Sequence, residues 1–180
     1  MSDVVAVEYL SVDGVMEDPA WSGPFFNDEV AQFQLENLFG SEALLLGRVT
    51  YEGFKSAWPT MTDEAGFADK MNGMPKYVAT RTLTEGEWNA TLLTGDLVDE
   101  VSRLKRDGQG TLLINGSGQV FRTLHAAGLI DEYRFMVYPV VVGTGQKLFT
   151  DGGAATLSLV KSQITDSGVA ILSYRPAAAA

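Results

Sequence analysis

Two hydrophobic periods alternate along this chain. Short apolar, β-branched runs with the character of buried strands are separated by stretches in which apolar positions recur every three to four residues, as in amphipathic helices. Residues 4–12 (VVAVEYLSV), 43–47 (ALLLG), 76–80 (KYVAT), 90–94 (ATLLT) and 111–115 (TLLIN) are of the first kind. The spacing predicts a helix over 27–39, with Ala31, Leu35, Leu38 and Phe39 on one face and Asn27 as its cap. Further helices are expected from Arg48 until Pro59 interrupts, and over 63–73, 96–108 and 118–128. In the stretch 96–108, Asp96 and Asp99 resemble a capping box, while Lys105, Arg106 and Gly108 mark the end.

After residue 131 the helical period disappears. Residues 131–143 (DEYRFMVYPVVVG) are strand-like, and 157–176 read as two strands joined by an Asp166-Ser167-Gly168 turn. Strands alternating with helices, then a terminal hairpin, imply an α/β fold of three layers. Its central sheet is mostly parallel, with helices on both faces and a C-terminal antiparallel hairpin. No repeat, linker or low-complexity stretch divides the sequence, so residues 1–180 are expected to form one domain, with 176–180 as a disordered tail.

Composition narrows the chemistry more than the fold. A chain of 180 residues, 46% hydrophobic and 20% charged, can bury a core without staples. It has no cysteine, which excludes disulfides, thiolate metal sites and thiol nucleophiles. Its net charge of -10 argues against a nucleic-acid partner. No basic region precedes the short apolar run at the N-terminus, and no apolar stretch approaches the roughly 18 residues of a membrane span, so a cytoplasmic protein without membrane contact is expected. The single histidine, His125, has no companions for a metal site and is expected to pack or face solvent.

Two segments share one grammar. LLLGRVTY (44–51) and LLINGSGQVF (112–121) each run from an apolar strand through glycine into a helix start. Glycine lets a ligand approach the backbone, and a helix N-terminus offers free N–H groups and partial positive charge to phosphate. Two such junctions at the carboxyl ends of neighbouring parallel strands would face one crevice. Arg48 follows Gly47, and Arg81 follows the strand in ATRTL, where Thr50, Thr80, Thr82 and Ser117 add hydroxyls. Guanidinium grips phosphate through two parallel hydrogen bonds, although both arginines could instead pair with surface carboxylates. A Rossmann fingerprint is rejected: Phe121 stands where the third glycine belongs, and Asp131 and Glu132 begin a strand instead of ending one.

In this order, SVDGVME, ALLLGRVTYEGF, KYVATRTL, LLINGSGQVFRTLHAAGLIDEYRFMVYPVVVGTGQKLF and the closing hairpin resemble the dihydrofolate reductase superfamily. The similarity spans roughly residues 4 to 175 and is closest to the reductase domain of the bacterial riboflavin-biosynthesis deaminase-reductase. The resemblance implies an NADPH-binding domain. Gly47, Arg48 and Thr50 would contact the cofactor, with Arg48, Thr80, Arg81 and Thr82 around its 2′-phosphate. Gly116, Ser117, Gly118, Gln119 and Val120 would lie along its pyrophosphate. Dihydrofolate reductases hold a cis Gly-Gly bond in this last turn; here Ser117 stands in it. The resemblance also implies a homodimer, and it puts the 140–149 loop near the mouth of the site, where a bulge or plain turn is the alternative.

A hydride reductase needs a bound nicotinamide and a proton donor. Asp28 stands about where dihydrofolate reductases keep their substrate-binding acid, or is simply a carboxylate at a helix N-terminus. Asp13, in SVDG, is the second candidate acid, or the first residue of an Asp-Gly turn. Trp21, Tyr51, Phe54 and Trp58 could line a flat substrate pocket or belong to the core. The expected function is NADPH-dependent reduction of a small heterocyclic or carbonyl substrate. The alternatives are reduction of the phosphorylated ribosylaminouracil of the riboflavin pathway, and nucleotide binding without catalysis.

Overall fold

The computed structural model describes residues 1–178. Eight strands form one sheet: β1 (Asp3–Ser11), β2 (Ala43–Gly47), β3 (Lys76–Ala79), β4 (Ala90–Leu93), β5 (Thr111–Asn115), β6 (Glu132–Tyr138), β7 (Leu157–Ile164) and β8 (Ala170–Pro176). Their order is β4-β3-β2-β5-β1-β6-β8-β7. The six strands from β4 to β6 run parallel, and β8 and β7 add antiparallel at the far edge. Helices α1 (Asp28–Phe39), α2 (Arg48–Ala57) and α3 (Phe67–Gly73) cover one face, while α4 (Leu97–Asp107) and α5 (Gly118–Ala126) cover the other. Each face has its own core. Val5, Val7, Leu44, Leu46 and Val78 meet Val30, Leu38 and Met71; Ala6, Leu45 and Ile114 meet Val101, Phe121 and Leu124.

Local chemistry accounts for the helix starts. Asn27 Oδ1 accepts from Val30 N at 3.0 Å, and Asp96 Oδ1 accepts from Val98 N and Asp99 N. Residues 63–66 are not helical as expected: the Asp63 carboxylate accepts from Phe67 N and Ala68 N, so this stretch caps α3 from outside. His125 packs, stacked on the Phe121 ring and bonded through Nδ1 to the Tyr133 hydroxyl at 2.9 Å.

Three expectations change in detail. The buried face of α1 is Val30, Gln34, Asn37 and Leu38, one residue away from the apolar pattern. The sheet beneath presents polar atoms: Gln34 Nε2 donates to the Tyr9 hydroxyl at 2.8 Å, and Asn37 Oδ1 accepts from Arg134 Nη1 at 2.5 Å. Ala31 and Leu35 instead line a cavity, and Phe39 is exposed. The run 140–143 is not strand either. β6 ends before Pro139, and Val141 is exposed. In the expected tail, Pro176 closes β8 and Ala177 N donates to Thr156 O at 2.9 Å; residues 179–180 lie outside the described residues.

Candidate active site

The carboxyl ends of β1, β2, β3 and β5 open on one cavity of about 1960 Å³. Its floor is made by the two glycine junctions, which are tied together: Gly47 N donates to Ser117 Oγ at 2.9 Å. Gly116 (φ 71°) and Ser117 (φ 63°) are successive left-handed residues, and the described peptide bonds are all trans. That geometry is unusual for serine and costs of order 1 kcal/mol or more. It turns the chain directly into α5, whose first N–H groups have no side-chain cap, as at α2. A Cβ on Gly118 would come within 2.7 Å of Met16 Sδ and 3.0 Å of Arg122 Nη1, so this position admits no side chain without displacement.

Arg48, Thr50, Thr80, Arg81 and Thr82 line the same cavity, as do Gln119 and Val120. Arg48 is half-exposed and paired with Glu52 at 2.7 Å, an exchangeable surface contact. Thr80 is buried, its hydroxyl accepting from Thr82 N and Leu83 N, and it shapes the turn that carries Arg81 outward. The arginines and threonines lie on the β2–β3 side, and Gln119 and Val120 on α5 after β5.

The α1 side of the cavity differs in character. Ala31, Leu35, Phe54, Trp58, Met61 and Phe67 give it apolar and aromatic walls, with the Trp58 and Phe67 rings 5.1 Å apart. Tyr9 and Gln34 add polar atoms to the lining, and Asp28, exposed in the first turn of α1, reaches it from the rim. The cations lining the cavity are Arg48, Arg81 and Arg122.

Three residues singled out in the sequence do not line this cavity. Asp13 accepts from Ser11 Oγ, Val142 N and Gly143 N at 2.6–3.0 Å. Those bonds hold its pKa down to about 2, the Ser11 hydroxyl first and the two backbone N–H groups next. Asp13 is therefore a clamp on the 140–143 loop. Tyr51 is buried, its hydroxyl donating to Glu87 O and accepting from Glu87 N. Trp21 packs edge-on against Tyr138 at 5.7 Å, and its Nε1 donates to Glu17 O. Phe54 and Trp58, by contrast, do form part of the wall.

Glu8 and Arg122 were not singled out, yet both line the cavity. Glu8 is 2% exposed, and its Oε1 has no hydrogen-bond partner. Burial holds its carboxyl well above the usual carboxylate range, with the Gly116 N–H and the Arg122 charge opposing more weakly. The sequence did carry a signal: Glu8 is the one charge inside the apolar run of 4–12.

A parallel sheet ending in glycine junctions and arginines, with an antiparallel hairpin at its edge, defines a dihydrofolate reductase-like domain. The chain belongs to the RibD C-terminal domain family, whose model matches residues 3–171, and it is thereby an oxidoreductase of the reductase type. It is 28% identical over 137 residues to the uncharacterized protein YyaP of Bacillus subtilis (strain 168), covering 74% of this chain and 73% of that one. A putative riboflavin biosynthesis protein from Shewanella sp. PV-4 superposes with a TM-score of 0.80 at 22% identity, covering 97% of this chain and 99% of the other. Dihydrofolate reductase from Enterococcus faecalis, solved with NADP(H), gives a TM-score of 0.67 at 15% identity, with coverage of 97% and 96%.

Proposed function

We propose that this protein is an NADPH-dependent reductase of a flat, unphosphorylated heterocyclic or carbonyl substrate. One observation carries the reading: the Gly47–Ser117 hydrogen bond joins two uncapped helix starts on a cavity that also holds Arg48 and Arg81. Two helix N-termini suit a pyrophosphate, and the two guanidinium groups suit a 2′-phosphate. The unpartnered Glu8 oxygen on the same cavity fits a bound dinucleotide as well.

When bound, reduced nicotinamide supplies the hydride. The chain has the remaining tasks. Arg48, Arg81 and Thr82 hold phosphate, and the N–H groups of α2 and α5 hold the pyrophosphate. Leu35, Phe54, Trp58 and Phe67 stack a planar substrate and exclude water. Asp28, at the rim of that chamber, passes a proton from solvent to the oxygen or nitrogen left by hydride addition. The phosphorylated ribosylaminouracil is disfavoured because Arg48, Arg81 and Arg122 belong to α2, the turn after β3 and α5, while among the described residues α1 brings no cation to the cavity. The reading includes a homodimer formed through β7, whose Leu159, Val160 and Ile164 are exposed on the free edge of the sheet.

Turnover tests it. NADPH oxidation should be seen with neutral heterocycles or quinones, and Asp28→Asn should lower kcat by about a hundredfold with the fold intact. Oxidation confined to the phosphorylated pyrimidine riboside would contradict the assigned substrate class. Unchanged kcat in Asp28→Asn would remove its role.

A further inference from the structure

The order of groups along the sheet edge has a direction. Arg81 follows β3, Arg48 follows β2, Gly116 follows β5, and Glu8 belongs to β1; these are four successive strands. Three strand spacings are about 14 Å, a span suited to an extended dinucleotide. Val7 pairs with Asn115, so Glu8 stands level with Gly116. It shares a strand face with Ala6 and Leu10, which pack in the core that contains Val120 and Phe121 of α5. Among the described residues, no cation forms an ion pair with Glu8; Arg122 of α5 donates instead to Lys147 O at 3.2 Å. The carboxylate of Glu17, which also lines the cavity, accepts from Gln146 N.

Burial favours the neutral form of the Glu8 carboxyl over the weaker pull of the Arg122 charge and the Gly116 N–H, and a neutral carboxyl presents one donor and one acceptor on the same edge. A primary carboxamide presents the complementary pair. Resting on the NADPH reading above, we propose that Glu8 binds the carboxamide of the nicotinamide as a neutral acid, its O–H donating to the amide oxygen and its other oxygen accepting from the NH₂. The 2′-phosphate would then lie toward Arg81 and Arg48 and the ring toward Glu8. Glu8 is a cofactor-positioning group in this role, and no proton leaves it during turnover.

Calorimetric titration of the full chain with NADPH and with 3-acetylpyridine adenine dinucleotide phosphate, reduced form, tests this without reference to turnover. The analogue keeps the acceptor oxygen and lacks the NH₂. Glu8→Gln retains a donor and an acceptor and should bind NADPH within about threefold of the wild type, whereas Glu8→Leu should lose about tenfold or more, one to two hydrogen bonds' worth. The wild type should prefer NADPH to the analogue, and Glu8→Leu should erase that preference. A preference that persists in Glu8→Leu, or equal loss for both ligands, overturns the proposal while leaving the NADPH reading standing. A wild type that binds neither ligand overturns both. Circular dichroism of each variant identifies a loss of binding that comes from misfolding, and Glu8→Ala, which lacks both donor and acceptor, decides the matter with the same two ligands if Glu8→Leu fails to fold.

Discussion

Asp13 shows how one carboxylate can hold a loop from outside the cavity. Of its three hydrogen bonds, one ties it to Ser11 at the end of β1 and two reach residues 142–143, across 129 and 130 positions of sequence. They favour the charged form, so the folded pKa, about 2, lies below the value near 3.9 of an unfolded aspartate. The stabilisation is therefore complete above about pH 4 and lost as the pH falls toward 2. Asp13→Asn should lower the thermal midpoint at neutral pH, and the gap to the wild type should narrow as the pH is taken down through that window. A gap independent of pH would show that the carboxylate charge is not what holds the loop.

Among the elements, α3 depends most visibly on a single side chain. Lys76, at the start of β3, is fully buried, donates from Nζ to the Met71 and Asn72 carbonyls, and stands 3.8 Å over the Trp88 ring. Lys76→Met would leave those carbonyls at the end of α3 without their donor, at a cost of about 2–3 kcal/mol in urea unfolding. A loss below about 0.5 kcal/mol would mean that water replaces the ammonium. The elements themselves were largely legible, because alternation and 3.6-residue periodicity report burial directly. Where burial is polar the pattern misleads: Gln34 and Asn37 face the sheet because Tyr9 and Arg134 receive them, and no apolar count contains that. The valines at 140–142 look like strand, but Pro139 and the Asp13 clamp take that run out of the sheet. The glycine junctions and arginines were visible as motifs. Glu8 stood out as the one charge in its apolar run, but its place level with Gly116 and on one cavity with Arg122 needed the strand order, which sequence spacing does not supply.

For the molecule as a whole, the sheet has two unlike edges. β4 is short, whereas β7 is eight residues long and exposes Leu159, Val160 and Ile164. A homodimer through β7 predicts twice the monomer mass by light scattering, falling to the monomer mass in Leu159→Lys/Ile164→Lys, since charges along an edge block strand pairing. A wild type that remains monomeric would reject that arrangement. In other parts of the molecule, the net charge of -10 sets a repulsive background for an anionic ligand, so Arg48, Arg81 and the two helix starts must supply the local attraction. Titrating the protein with NADPH and NADH at one ionic strength tests that claim most directly. NADPH is predicted to bind at least about tenfold more tightly, the 2′-phosphate adding charge-assisted bonds worth more than 1.4 kcal/mol. Equal affinities, or no binding of either, would contradict it.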